Sequence, residues 1–302
     1  MNTPLSHRTV LDCSILLPGP FTGKLLADLG AQVIKIENPN RPDPAKIKYP
    51  EHYEVLNKKK EIIQLDIKKE KEKFNSLLKS SHGLIEGYRF ETAKKLGLDE
   101  KSLLKINPTL CIASIKGYTK SERPGHDLNF IGQSGLFSRL KTPPGVPLSQ
   151  WIGSTQTALQ LVAAMDQAEH SQRGIHLSIS LTETIKNYLL PEFEISKKTP
   201  QNHGTTLLTG RYPCYRVYQT QDHREITVAA IEPHYWEIFC KVINRPDFIK
   251  FQTVIDKERD QIVNEIQRIL MSKQWKEWAP LFEANPCCVE LVLNDSEVLS
   301  GF

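Results

Sequence analysis

The sequence has no apolar run approaching the roughly 20 residues a membrane-spanning helix needs, and its mean hydropathy is −0.37. Met1 to Arg8 is polar and lacks the apolar stretch of a secretory signal. The six cysteines, Cys13, Cys111, Cys214, Cys240, Cys287 and Cys288, form no CxxC, and no histidine pair sits at zinc spacing. Neither a metal site nor a disulfide framework is therefore expected. There is no GxGxxG, so a nicotinamide cofactor is not indicated. Lys and Arg number 39 against 35 Asp and Glu, a net charge of +4. That excess is too small to predict a nucleic-acid partner. The expectation is a cytoplasmic protein with reduced thiols and no membrane or nucleic-acid partner.

What the 302 residues do contain is enough for a real core: 39% are hydrophobic and 25% charged. Thr9 to Ser14 reads as a strand, broken by Leu17-Pro18-Gly19-Pro20. Phe21, Leu25 and Leu29 share one face of a helix, Gly30 stops it, and Gln32 to Glu37 is the next strand. This is a βαβ unit, and its turn can hold a phosphate at the helix start. Asn38 to Pro50 reads as a surface loop. Glu61 to Ile67, His82 to Glu86, Leu110 to Ile115 and Gly174 to Ser180 follow as strands. Helices are expected over Lys68 to Ser80, over Ala93 to Ile106 with an interruption near Gly97, and from about Thr155 to Asp166. Such alternation predicts an α/β fold, a doubly wound, Rossmann-like parallel sheet over residues 1–200. Lys197 to His203 reads as a linker. Tyr215 to Thr220 and Glu225 to Ala230 then form a hairpin, which places a smaller α+β domain over 201–302.

Several stretches resemble one family. Leu16-Leu17-Pro18-Gly19-Pro20-Phe21, Leu26-Ala27-Asp28-Leu29-Gly30-Ala31 and Val33-Ile34-Lys35-Ile36-Glu37 look like the N-terminal signature of the class III CoA-transferases. Leu65-Asp66-Ile67-Lys68 and Ile85-Glu86-Gly87-Tyr88-Arg89 are similar to its next two blocks. Gly125-His126-Asp127-Leu128-Asn129-Phe130 and Ala230-Ile231-Glu232-Pro233 side with the α-methylacyl-CoA racemase branch. The resemblance implies a large CoA-binding domain, a small domain and an interlocked homodimer whose sites are built from two chains. It implies an acyl-CoA thioester as ligand, with coenzyme A as part of the substrate and no covalently bound cofactor. Arg89 and the lysines Lys58, Lys59 and Lys60 would lie near the CoA phosphates or adenine, with Pro18 in the loop beside them.

Racemisation removes the proton next to a thioester carbonyl and returns it on the other face. It needs two acid/base groups and donors for the enolate oxygen. His126 matches the family's histidine, Glu232 the glutamate that holds its tautomer, and Asp127 a neighbouring site residue. Where the family carries an aspartate, this chain has Ser154, after Gly153. Three readings follow: an enzyme working at the α-carbon of an acyl-CoA with His126 as base, an acyl-transfer or thioester-cleaving enzyme using Ser154, His126 and Glu232, or a catalytically silent CoA-binding homologue. CoA transfer itself, in which the aspartate would be the nucleophile, is a further alternative.

Overall fold

The computed structural model describes residues 3–198 and 207–301. The chain divides into two compact units, residues 1–195 and 196–302. The domain boundary expected at 200/201, and most of the expected linker, lie outside the described residues.

The first unit runs β1 (Thr9–Asp12), α1 (Pro18–Asp28), β2 (Gln32–Glu37), α2 (Ala45–Lys48), α3 (Pro50–Asn57), β3 (Glu61–Gln64), α4 (Lys71–Lys79), β4 (Gly83–Glu86) and α5 (Phe90–Leu96). It continues through α6 (Glu100–Ile106), β5 (Cys111–Lys116), α7 (Asp127–Ser134), α8 (Phe137–Leu140), α9 (Leu148–Ser171), β6 (His176–Ser180), α10 (Leu181–Tyr188) and α11 (Leu190–Lys198). Six strands form one parallel sheet in the order β3-β2-β1-β4-β5-β6. The winding reverses between β1 and β4, so the loops following these two strands splay apart at their carboxyl ends, where open α/β sheets hold ligands.

Both faces of the sheet are covered, as a parallel sheet requires. Val10, Val33, Ile85, Cys111 and Ala113 point to one side and pack with Leu26 of α1 and Leu161 and Met165 of α9. The alternate residues Leu11, Ile34, Ile36, Leu84 and Ile112 point to the other side and meet Phe74, Leu78, Ala93 and Leu103 of α4 to α6. Gly97, with φ 75°, closes α5 in the left-handed conformation and separates it from α6, the interruption read from the sequence.

Three expectations change. Pro18 begins α1 instead of preceding it, because a proline in the first helical turn loses no hydrogen bond and its φ is already helical. The segment Asn38 to Pro50, expected as loop, carries α2 and the first residue of α3, which the proline- and charge-rich composition concealed. The long helix starts at Leu148, so Ser154 lies within its second turn and not at its mouth.

The second unit runs β7 (Tyr215–Gln219), β8 (Glu225–Ala229), α12 (Pro233–Val242), α13 (Asp256–Leu270), α14 (Trp275–Ala284), β9 (Val289–Leu291) and α15 (Asp295–Ser300). The expected hairpin is present, and β9 adds a third antiparallel strand to it. Its core gathers Tyr218, Trp236, Phe239, Phe248, Trp278 and Phe282. All six cysteines are free thiols.

Candidate active site

The loop after β1 rests on four buried charges. Asp12 ends β1, Lys35 lies in β2, and both are fully buried, as are the ammonium of Lys60 and nearly all of Asp43. Lys60 Nζ donates to Asp12 Oδ2 at 2.8 Å and to the Pro20 carbonyl at 2.7 Å. Lys35 Nζ donates to the Ser14 carbonyl at 2.8 Å and stands 3.3 Å from Asp43 Oδ2. The Ser14 hydroxyl and amide donate to Asp12, and Asp43 accepts from the amide of Leu16. Two cations face two anions, so the cluster is neutral and every charge is paired, the condition under which buried ions are tolerated. Burial alone would raise the Asp12 carboxyl; Lys60 and Lys35 outweigh it and hold it at about 2. Gly19 is required here, since a Cβ would stand 2.0 Å from Ser14 Oγ.

This cluster reassigns Lys60. The sequence placed it against CoA, whereas its ammonium is an internal counter-ion away from solvent. Its neighbours differ: Lys59 is exposed and pairs with Asp28 at 2.8 Å, and Lys58 is exposed at the end of α3. Pro18 is half-buried, and its carbonyl accepts from Thr22 Oγ1 at 2.8 Å and Ser154 Oγ at 2.7 Å. The start of α1 is a poorer phosphate cradle than expected. Pro18 and Pro20 have no N–H, which removes two of the first-turn donors.

Ser154 is fully buried. Its hydroxyl faces two carbonyls, Gln150 at 2.6 Å and Pro18 at 2.7 Å, and its one hydrogen is committed to them. A nucleophilic serine needs a base at that position, and here the Ser154 hydroxyl meets carbonyls instead of His126. The same two carbonyls would repel a carboxylate placed there.

His126 is exposed at the N-cap of α7, and its amide donates to Asn129 Oδ1 at 3.0 Å. Asp127 has a positioning role. Pro147, the N-cap of α9, has no capping side chain, and Asp127 Oδ1 instead accepts from the amides of Ser149 at 2.8 Å and Gln150 at 3.2 Å. A carboxylate is well placed at a helix N-terminus. It ties the histidine segment to the helix that carries Ser154. Glu232 is the exposed N-cap of α12 in the second unit, whereas His126 belongs to the first.

At the carboxyl ends of β2, β3 and β4 opens a crevice of about 720 Å³, lined by Arg41, Lys68, Lys69, Tyr88, Thr92 and Lys95 among others. Its four cations are exposed and have no ion-pair partner among the described residues, although Asp66 also lines it. Arg89 follows Tyr88 directly, is exposed, and likewise has no ion-pair partner among the described residues. Arg41, Lys69 and Lys95 were not singled out in the sequence. The available signal was their place just beyond the ends of neighbouring parallel strands, and only the strand order turns that into proximity. Among the described residues no group of acidic, histidine or cysteine side chains could hold a metal, and no helix is long and apolar enough to cross a membrane.

The model of CoA-transferase family III matches residues 5–301. A CaiB/baiF CoA-transferase family protein of Caenorhabditis elegans is 30% identical over 97% of this chain and 87% of its own length. The α-methylacyl-CoA racemase of Homo sapiens is 27% identical over 98% of this chain and 79% of its own. The crystal structure of a variant of Rv3272 from Mycobacterium tuberculosis superimposes with a TM-score of 0.81 at 24% identity, covering 99% of this chain and 84% of that one. The likeness to that structure supports the fold. The chain belongs to CoA-transferase family III.

Proposed function

We propose that this member of CoA-transferase family III acts at the α-carbon of an acyl-CoA thioester, with His126 as the base and coenzyme A held as part of the substrate. The observation that carries the reading is the commitment of the Ser154 hydroxyl to two backbone carbonyls while His126 stays exposed on a segment pinned by Asp127. A serine so placed is no nucleophile, which disfavours acyl transfer or thioester cleavage through Ser154. An exposed imidazole is suited to take a proton from a carbon acid.

In this reading Glu232 pairs with His126 and fixes its tautomer. The interlocked homodimer expected of the family brings the site together from two chains. CoA is a polyanion, and Arg89 with Arg41, Lys68, Lys69 and Lys95 supplies the cations that its phosphates need. With Ser154 where relatives carry an aspartate, the second acid/base is missing. The expected chemistry is therefore proton exchange on one face of the carbon without inversion.

The test is incubation with a panel of acyl-CoA thioesters in heavy water, followed by mass spectrometry. Wild-type protein should incorporate deuterium at the α-carbon, and His126→Gln should slow this by about 10²–10⁴-fold. Release of free CoA without exchange would instead favour the thioester-cleaving reading. Binding without either reaction would leave the silent binder.

A further inference from the structure

We propose that Ser114, His176 and Glu100 form a second catalytic centre, a serine-hydrolase-type site for small acyl esters or thioesters, on the opposite face of the sheet from α9. The strand alternation puts it there. Cys111, Ala113 and Ile115 of β5 pack toward α9, so Ile112 and Ser114 face α5 and α6. Ile175, just before β6, and Leu177 within it pack toward the α9 side, which turns His176 the other way. His176 pairs with Ile112 in the register, so its ring reaches diagonally to Ser114.

Ser114 Oγ and His176 Nε2 are 2.9 Å apart, and His176 Nδ1 stands 3.1 Å from Glu100 Oε2. Nucleophile, base and orienting carboxylate are thus in hydrogen-bond contact in that order, the arrangement missing at Ser154. Glu100 accepts from Nδ1–H and leaves Nε2 free to accept from Ser114.

A fourth group, paired with Ser114 in the register, stands beside the serine. Glu86, at the end of β4, is buried beside Ser114 and hydrogen-bonded to it. Burial pushes its carboxyl above the usual range, with Ser114 and the amide of Tyr88 pulling it back. All three polar residues of the relay, together with Glu86, line a cavity of about 270 Å³ that also presents Lys94, Lys101 and Lys116. Its size fits a small acyl group, and Glu86, Asp99 and Glu100 balance the three lysines in its lining.

The reaction balances with water as the only co-reactant. Ser114 Oγ bonds to the ester carbonyl carbon, its proton passes to His176 Nε2, and the lysine cations oppose the charge on the oxyanion. The leaving alcohol or thiol takes that proton as its bond to the carbonyl breaks. Water, deprotonated by His176, then releases the acid and restores Ser114.

A fluorophosphonate probe, followed by peptide mass spectrometry on the full chain, tests the assignment. The expected result is a covalent adduct on Ser114, absent in Ser114→Ala and formed at least about 100-fold more slowly in His176→Gln. His176 is partly exposed, and thermal denaturation of His176→Gln checks that its replacement leaves the fold intact. No adduct at Ser114 overturns the proposal, as does labelling indifferent to His176→Gln. The proposal is independent of chemistry at His126: Ser114→Ala should leave α-carbon exchange on acyl-CoA unchanged, so the two readings fail separately.

Discussion

The first unit holds its cations in two contrasting settings a few residues apart. Beneath the loop after β1, Lys35 and Lys60 are buried and matched by Asp12 and Asp43. Beside them, Arg41, Lys68, Lys69 and Lys95 are exposed around a crevice, Arg89 is exposed next to its Tyr88, and none of the five is matched by an ion pair among the described residues. Three consecutive lysines span the contrast, with Lys58 and Lys59 in solvent and Lys60 enclosed. Buried cations are spent on holding the loop; exposed ones remain available to an anionic ligand. A run of like charge in a sequence therefore does not share one role.

Removing a buried cation should produce the largest effect. Lys60→Met leaves Asp12 enclosed with only Lys35 to oppose it. A loss of about 3–5 kcal/mol is expected, the usual result of breaking a buried pair from one side. Chemical denaturation checks it, and a loss below about 1 kcal/mol would show that the cluster contributes little. At the residue after the crevice's Tyr88, Arg89→Ala should weaken binding of a CoA thioester by roughly 1–3 kcal/mol, the usual worth of a hydrogen bond to a charged group, while leaving stability unchanged. Calorimetric titration measures the first and denaturation the second. Unchanged affinity would remove Arg89 from the binding surface.

The buried cluster also has a pH signature. The Asp12 carboxyl titrates at about 2 in the folded chain, below its ordinary value of 3.8. A depressed carboxyl contributes stability that is present above the unfolded value and lost as pH falls through the folded one. Asp12 should thus supply roughly 2 kcal/mol near neutrality, disappearing between about pH 4 and pH 2. Denaturation across that range checks it, and Asp12→Asn should flatten its share of the slope. The smallest effect is expected from Lys59→Ala. Its pair with Asp28 is exposed and Lys24 remains at 2.6 Å from the same carboxylate, so at most about 1 kcal/mol should be lost. A larger loss would blur the division between the two settings.

Much of the first unit was legible along the chain. Apolar runs of strand length alternating with helical spacing announced a parallel sheet, and Gln32–Glu37 appears with the bounds the alternation gives. Local signals failed where tertiary contact supplied what the sequence lacked. The N-terminus of α9 shows no capping residue of its own, because Asp127, 22 residues before Ser149, does the capping. The helix was therefore expected several residues late, and Ser154 was placed at its mouth. The Ser114–His176 contact joins residues 62 apart with no local motif, so nothing short of strand pairing reveals it.

Side-chain period and turn chemistry are properties of neighbouring residues, so the sequence by itself determined the kind of fold, its α/β order and the family to which the chain belongs. Which lysine of Lys58-Lys59-Lys60 is buried, whether the Ser154 hydroxyl meets a base or a carbonyl, and which serine meets a histidine depend on strand order, register and helix start. Those are set by contacts between residues distant in the chain, and a difference of one position turns a side chain from solvent to core. Only the tertiary structure decided them.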